Sequence, residues 1–250
     1  VRGSVKIHAM GNIYIGGYVE DADIWSGQDI IIQDGVNAGE NGRIEAMGNI
    51  SARFFENAHI ISHSDIKCDY MLNTTALAYG GIYLEGKRGS VIGGDVTGVR
   101  GICIKACGSE SYSKTVLRVG VTKEISSEYA KVLMVLKDID TQIDRFNQAL
   151  QKLDILKKAG SDKFDETLNR KLLQSKIVKT AEKAKYEEKS RNLYTLVRES
   201  DRAVVRIDKN IYPGSRVFMG DKTYVPSTVF THIALKKTSQ GVLIRNYDSM

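Results

Sequence analysis

The chain has 250 residues, of which 42% are hydrophobic and 26% are charged. This composition is that of a globular protein with enough length for a sizeable core, and it excludes a disordered or collagen-like chain. No apolar run reaches the roughly 18 residues of a membrane-spanning helix, and no secretory signal is visible. Because the chain starts at Val1, inside a running repeat, we expect it to be a fragment of a longer protein.

The net charge of +6 is spread unevenly along the chain. Residues 1–121 contain 11 basic and 13 acidic residues. Residues 122–201 contain 17 basic and 14 acidic residues, and residues 202–250 contain 8 basic and 3 acidic residues. The first half is therefore not a basic platform for nucleic acid.

The first half of the chain repeats one seven-residue segment. The copies are IHAMGNI at 7–13, IWSGQDI at 24–30, IEAMGNI at 44–50 and IISHSDI at 60–66, with LAYGGI at 77–82 one residue short. The isoleucines that end the copies stand at 13, 30, 50, 66 and 82, so the steps are 17, 20, 16 and 16 residues. Alternating apolar residues on both sides of the segment indicate strands.

This period predicts a parallel β-solenoid in which each repeat is one coil. It is too short for a propeller blade, and the leucine pattern of a leucine-rich repeat is missing. Because the steps vary from 16 to 20 residues, we expect a right-handed or irregular parallel β-helix and not a left-handed hexapeptide solenoid.

The middle of each repeat is predicted to form a tight corner. Gly11 and Gly48 are expected to supply positive φ angles there. The polar corner residues are expected to bond their own backbone and not to form a row of ligands. They are Asn12, Asp29, Asn49 and Asp65.

Glycine is absent from 121 to 159, where the apolar residues change to steps of four and three. This heptad spacing predicts a long coiled-coil helix that ends near Gly160. The nine apolar positions are Ile125, Tyr129, Val132, Leu136, Ile139, Ile143, Phe146, Leu150 and Leu153.

A second helix is predicted after the turn, with Ser161 or Asp162 as its N-cap and its end near Arg198. Its apolar seam is weaker, with a poor stretch between Leu172 and Leu193. The short turn favours an antiparallel hairpin over a parallel intermolecular coiled coil.

Strand signals return at 203–207, 211–220 and 241–246. The predicted class is therefore mainly β with inserted α, a right-handed parallel β-helix interrupted by a long antiparallel coiled-coil hairpin. The predicted domains are the β-helix at 1–121, the hairpin at 122–201, and return strands at 202–250 that complete or cap the β-helix.

No motif for a metal, a cofactor or catalysis is found. GKRGSV at 86–91 has the wrong spacing for a phosphate loop and is interpreted as a corner. His59 and His63 would pair on a helix but not on a solenoid bend. The cysteines (Cys68, Cys103 and Cys107) lack a CxxC spacing and are expected to be reduced thiols.

An enzyme is not expected, because solenoids that cleave polysaccharides line a groove with acids, bases and aromatics, and no acid cluster recurs here. A solenoid that binds or modifies a carbohydrate or nucleotide is kept as the alternative function.

The stretch 170–191 carries eight basic residues against three glutamates. A solvated helix face explains it most simply, an acidic protein partner comes second, and nucleic acid third. The candidate partner-binding residues are charged side chains of the turn and the second helix. They are Lys157, Lys158, Asp162, Lys163, Lys176, Lys179 and Lys183.

Three sequence segments, together with the predicted helices between the second and the third, resemble the bacterial flagellar assembly protein A family. The segments are VIGGDVTG at 91–98, IKACGSESYSKTVLRVG at 104–120 and IYPGSRVFMGD at 211–221. The resemblance implies a cytoplasmic, non-enzymatic protein for flagellar assembly or placement, recruited to the cell pole, and it transfers no catalytic residues. It also implies a further N-terminal domain.

Such a protein acts as a scaffold through contacts with proteins of the flagellar and polar-localisation machinery. No cofactor and no nucleic-acid partner is expected. Association of two chains, through the hairpins or the open solenoid end, stays open as an alternative to a monomer.

Overall fold

The computed structural model describes residues 1–39, 42–121, 123–200 and 202–246, without the side chains of residues 4, 123 and 124. Strands precede and follow two helices. Before the helices, the strands are Arg2–Ala9 (β1), Ile13–Ile15 (β2), Val19–Ser26 (β3), Ile30–Ile32 (β4), Gly35–Asn37 (β5), Arg43–Ala46 (β6), Ile50–Ser51 (β7), Phe54–Glu56 (β8), His59–Ser62 (β9), Ile66–Cys68 (β10), Tyr70–Ala78 (β11), Gly81–Leu84 (β12), Ser90–Gly98 (β13), Gly101–Ile104 (β14), Ala106–Cys107 (β15) and Thr115–Val119 (β16). The helices are Lys123–Lys158 (α1) and Glu166–Ser200 (α2), and the later strands are Val204–Ile211 (β17), Ser215–Met219 (β18), Lys222–Tyr224 (β19), Phe230–Lys237 (β20) and Val242–Asn246 (β21).

The strands build a parallel β-solenoid of about six turns, which confirms the predicted fold class. In one ladder, the isoleucines that follow each corner pair in register and are buried. The same ladder continues beyond the sequence repeat. Its members are Ile13, Ile30, Ile50, Ile66, Ile82, Ile102 and Val205.

Two further parallel ladders close each coil around the same apolar core. The second aligns Ile7, Ile24, Ile44, Ile60, Ala76, Val96, Leu117 and Val217. The third aligns Val19, Val36, Phe55, Met71, Val91, Cys107 and Ile211. Full burial of one such aliphatic side chain contributes about 1.5–3 kcal/mol.

The fifth copy of the repeat is full length, so the prediction of a missing residue was wrong. Ala76 pairs with Ile60, and Ile82 pairs with Ile66. The copy begins at residue 76 and not at residue 77, because Ala76 takes the place of the isoleucine that starts the other copies.

Neither corner glycine is required by backbone conformation, which corrects the prediction, and Gly48 is required by close packing between coils. Neither Gly11 nor Gly48 has a positive φ. A Cβ at Gly48 would overlap the Asp29 carboxylate and lie 3.0 Å from the Gln28 backbone. A Cβ at Gly11 would meet no atom within 4 Å. Gly48 is therefore sterically required by the coil before it, whereas Gly11 lies on the first coil of this 250-residue chain, with no preceding coil opposite it.

The polar corner residues bond the next coil and not their own backbone, which is a second correction. The Asn12 side-chain oxygen accepts a hydrogen bond from the Asp29 amide at 3.0 Å. The Asn49 oxygen accepts from the Asp65 amide at 3.2 Å, and Asp65 accepts from the Gly81 amide at 2.8 Å. The row is thus a ladder of hydrogen bonds that ties successive coils together.

The helices are inserted at one corner of the solenoid. In the preceding coil, Val99 and Arg100 link β13 to β14. In the next coil, Val119 pairs with Gly98 and Val204 pairs with Gly101. The segment between Val119 and Val204 therefore replaces a two-residue corner, and the solenoid ladders continue on its far side.

The last strands end the parallel ladders. Strand β17 pairs antiparallel with β20, β20 with β21, and β18 with β19. Strands β17, β18 and β21 match the predicted strand signals, whereas β19 and β20 were not predicted. Within the residues that the structure describes, neither helix has a stretch apolar and long enough to cross a membrane.

The chain divides into two compact units, residues 1–122 with 196–250, and residues 123–195.

Candidate partner-binding site on the helical hairpin

The corner that resembles a phosphate loop already binds an internal carboxylate. The Arg88 and Gly89 amides donate to one Asp69 oxygen at 2.8 and 3.2 Å. The Lys105 ammonium donates to the Gly86 carbonyl at 2.7 Å. Phosphate loops need free amides and a free lysine, so the interpretation as a corner agrees with these bonds.

The cysteine thiols are poorly suited to chemistry at neutral pH. Burial raises the pKa of Cys107 to about 12 and that of Cys68 further. The half-buried Cys103 thiol also has a raised pKa because of burial. Thiols with raised pKa values stay protonated and unreactive. Among the described residues, no three His, Cys, Asp or Glu side chains are grouped to hold a metal.

Charged and aromatic side chains on the solenoid surface are engaged with one another. Arg118 makes a bidentate ion pair with Asp95 at 2.8–3.0 Å and stacks on Phe218. The Phe54 and Tyr70 rings stack at 5.1 Å with an angle of 10° between planes. Because stacked rings cover each other's faces, they offer little free face to a sugar ring.

The apolar seam of α1 is as predicted. All nine heptad positions are buried or half-buried, with Ile125, Val132, Ile139 and Leu153 at most 8% exposed. The helix ends where predicted, and Gly160 has a φ of +59°.

The second helix starts later than predicted and has another cap. Helix α2 begins at Glu166, and the Asp165 carboxylate accepts a hydrogen bond from the Leu168 amide at 3.0 Å. The N-cap is therefore Asp165 and not Ser161 or Asp162. The Ser161 hydroxyl instead accepts from the Lys163 amide at 3.3 Å, inside the turn.

Contacts between the helices show that they pack antiparallel. Lys183 pairs with Asp140, and Lys189 pairs with Glu128, both at 2.7 Å. The residue number rises along α2 as it falls along α1, which defines an antiparallel hairpin. Each of these carboxylates raises the pKa of its lysine, so both lysines stay charged.

Lysines occupy the middle of the α2 seam. One series of half-buried or buried positions along α2 follows steps of three and four, as in a heptad seam. They are Asn169, Leu172, Lys176, Lys179, Lys183, Tyr186, Ser190, Leu193 and Val197. Lysine stems can cover apolar surface while their ammonium groups reach water, which explains how this poor stretch still packs.

The candidate partner-binding residues fall into two groups. The first lies at the turn: Lys158 pairs with Asp154 at 2.7 Å, Lys157 lies over the Phe164 ring, and Asp162 and Lys163 are exposed. The Asp154 carboxylate raises the Lys158 pKa.

The second group is the row Lys176, Lys179 and Lys183 on α2. It starts ten residues after Glu166, about 15 Å along the helix axis. Lys179 pairs with Glu182 at 2.8 Å and Lys183 with Asp140, so both ammonium groups have a carboxylate partner within the hairpin. The turn and the lysine row do not form one site.

A groove of about 730 Å³ on the hairpin was not predicted. Its apolar part is formed by Val132, which lies on the α1 seam, and by Val135, which lies beside it. The lining residues are Ser127, Glu128, Lys131, Val132, Val135, Tyr186 and Lys189. The heptad pattern signals Val132 and Tyr186, but the groove depends on how the two helices align, which no local pattern specifies.

The chain is thus a β-solenoid protein with an inserted helical hairpin. The family model of the Flagellar Assembly Protein A (FapA) beta solenoid domain matches residues 1–240. The chain therefore belongs to the FapA family, and this membership indicates a role related to flagellar assembly. No curated protein and no solved structure matches the chain.

Proposed function

We propose that the chain is a non-enzymatic, cytoplasmic scaffold or adaptor in bacterial flagellar assembly or polar placement. It works through protein contacts of the solenoid and of the hairpin, which acts as an arm. Family membership supports the flagellar role. The charged turn and the lysine row on α2 are the proposed partner contacts.

The observation that carries the proposal is the position of the hairpin at a two-residue corner of the solenoid. The ladders on both sides of the insertion remain paired, as Val204 pairs with Gly101 and Val217 with Leu117. A segment of about 80 residues at such a corner adds no strand to the ladders. Its charged surface is therefore free to serve a partner.

The test is an in-frame chromosomal deletion that joins Gly120 directly to Ala203 in the bacterium that encodes the chain. These two residues then stand where Val99 and Arg100 stand one coil earlier. We expect normal protein levels by immunoblot, together with missing or misplaced flagella by electron microscopy. Normal flagella at normal protein levels would show that the hairpin is not the functional arm.

A further inference from the structure

The groove on the hairpin combines an apolar floor with a basic rim. Val132 is 3% exposed and Val135 is half-buried, and the half-buried Tyr186 ring faces them from α2. At the rim, Glu128 is already paired with Lys189 at 2.7 Å. Lys131 has no ion pair within the part of the chain that the structure describes. The groove thus presents apolar surface beside a cation without a counter-charge.

The surrounding charge favours an acidic occupant. Two lysines, Lys131 and Lys189, line the groove against one carboxylate, Glu128. A second copy of the hairpin would bring the same excess of positive charge to the groove, and like charges across an interface disfavour association. An acidic partner gains attraction at the same place.

We propose that this groove is the docking site for an acidic amphipathic helix of a protein partner. Helical peptides bind grooves through apolar residues spaced three or four apart. Such a helix places an apolar side chain on Val132, Val135 and Tyr186, and a carboxylate one turn away pairs with Lys131. This inference deepens the proposed scaffold function and rests on it.

The experiment uses the whole chain and a fluorescein-labelled synthetic peptide of three heptads, about 21 residues. The peptide has leucine at positions a and d and glutamate at e and g, and a control peptide has lysine in place of glutamate. Fluorescence anisotropy measures binding to the wild type, to Lys131→Glu and to Lys137→Glu. Lys137 is an exposed α1 residue outside the groove and receives the same charge change.

We expect saturable binding of the acidic peptide, weakened about tenfold or more by Lys131→Glu and less than about twofold by Lys137→Glu. The lysine peptide should not bind. A second variant, Val135→Ser, should weaken binding without changing charge, and helical circular dichroism verifies that each variant is folded.

Absence of acidic-peptide binding, or equal losses in the two lysine variants, would overturn the proposal, because binding would then be absent or diffuse. The scaffold function is tested separately by the hairpin deletion. If the deletion abolishes flagellar placement while Lys131→Glu leaves peptide binding intact, the groove proposal fails and the scaffold function stands.

Discussion

The two copies of AMGNI provide a matched pair of glycine substitutions. Gly11 and Gly48 occupy the same place in the repeat, and neither has a positive φ. A Cβ at Gly48 would overlap the Asp29 carboxylate of the preceding coil, whereas Gly11 lies on the first coil of this chain, where a Cβ would meet nothing within 4 Å. We therefore expect Gly48→Ala to destabilise the chain and Gly11→Ala not to destabilise it.

The magnitude follows from two opposing effects. Overpacking a tight site costs about 1–3 kcal/mol, and displacing Asp29 also weakens its hydrogen bond from the Asn49 amide, which is 2.6 Å long. Replacing glycine by alanine in a compatible conformation stabilises by about 0.4–1 kcal/mol, because the unfolded chain loses entropy. Gly48→Ala should thus lower the free energy of unfolding by about 1–2 kcal/mol, and Gly11→Ala should leave it unchanged or raise it slightly.

Urea unfolding followed by the fluorescence of Trp25, the single tryptophan, measures both variants in the same solenoid. Trp25 lies on β3, four residues before Asp29. If both substitutions destabilise equally, a common backbone requirement and not inter-coil packing explains the glycines, and the steric reasoning is refuted.

Three further predictions concern the buried hydroxyls, the helix seam and the thiols. The buried Ser62 hydroxyl lies 2.8 Å from the Gly48 carbonyl and accepts from the Ser64 amide, so Ser62→Ala should cost about 1–2 kcal/mol in urea unfolding. Ser51→Ala, at a half-exposed position, should cost little, and equal losses would argue against the role of the buried hydroxyl. Lys179→Leu should stabilise the hairpin by about 1 kcal/mol, because it fills a seam position with apolar surface. Lys185→Leu, on the exposed face of the same helix, should not stabilise the hairpin. Thermal melts followed by circular dichroism at 222 nm measure both variants, and a similar gain in stability from both would show that Lys179 does not lie on the seam. At pH 8 a thiol reagent should label the native chain at Cys103 first, since raised pKa values and burial keep the Cys68 and Cys107 thiols protonated and covered. Fast labelling of all three cysteines without denaturant would contradict this burial.

The repeat made much of the solenoid predictable from the sequence. The isoleucines at 13, 30, 50, 66 and 82 repeat the same local pattern, so their common ladder could be inferred from spacing alone. The role of Gly48 could not be predicted, since it depends on which atom of the preceding coil lies opposite, and steps of 16 to 20 residues do not specify that. The bonds of Asn12 and Asn49 to the next coil were missed for the same reason.

Prediction of the hairpin succeeded for α1 and was weaker for α2. Nine apolar residues define the α1 seam, whereas lysines at 176, 179 and 183 conceal the α2 seam in a charged sequence. The N-cap was misplaced because Ser161, Asp162 and Asp165 are all capable of capping, and tertiary packing decides among them. The groove requires the relative alignment of both helices, so neither helix predicts it alone.

The ladders of the solenoid continue past the hairpin, which occupies one of its corners. The most direct test is to purify the chain with Gly120 joined to Ala203 and to measure its urea unfolding by Trp25 fluorescence. We predict a folded solenoid whose free energy of unfolding stays within about 1 kcal/mol of that of the intact chain, because only a two-residue corner has been restored. If the variant aggregates or unfolds without denaturant, the hairpin is needed to hold the last coils together and is more than an insertion at a corner.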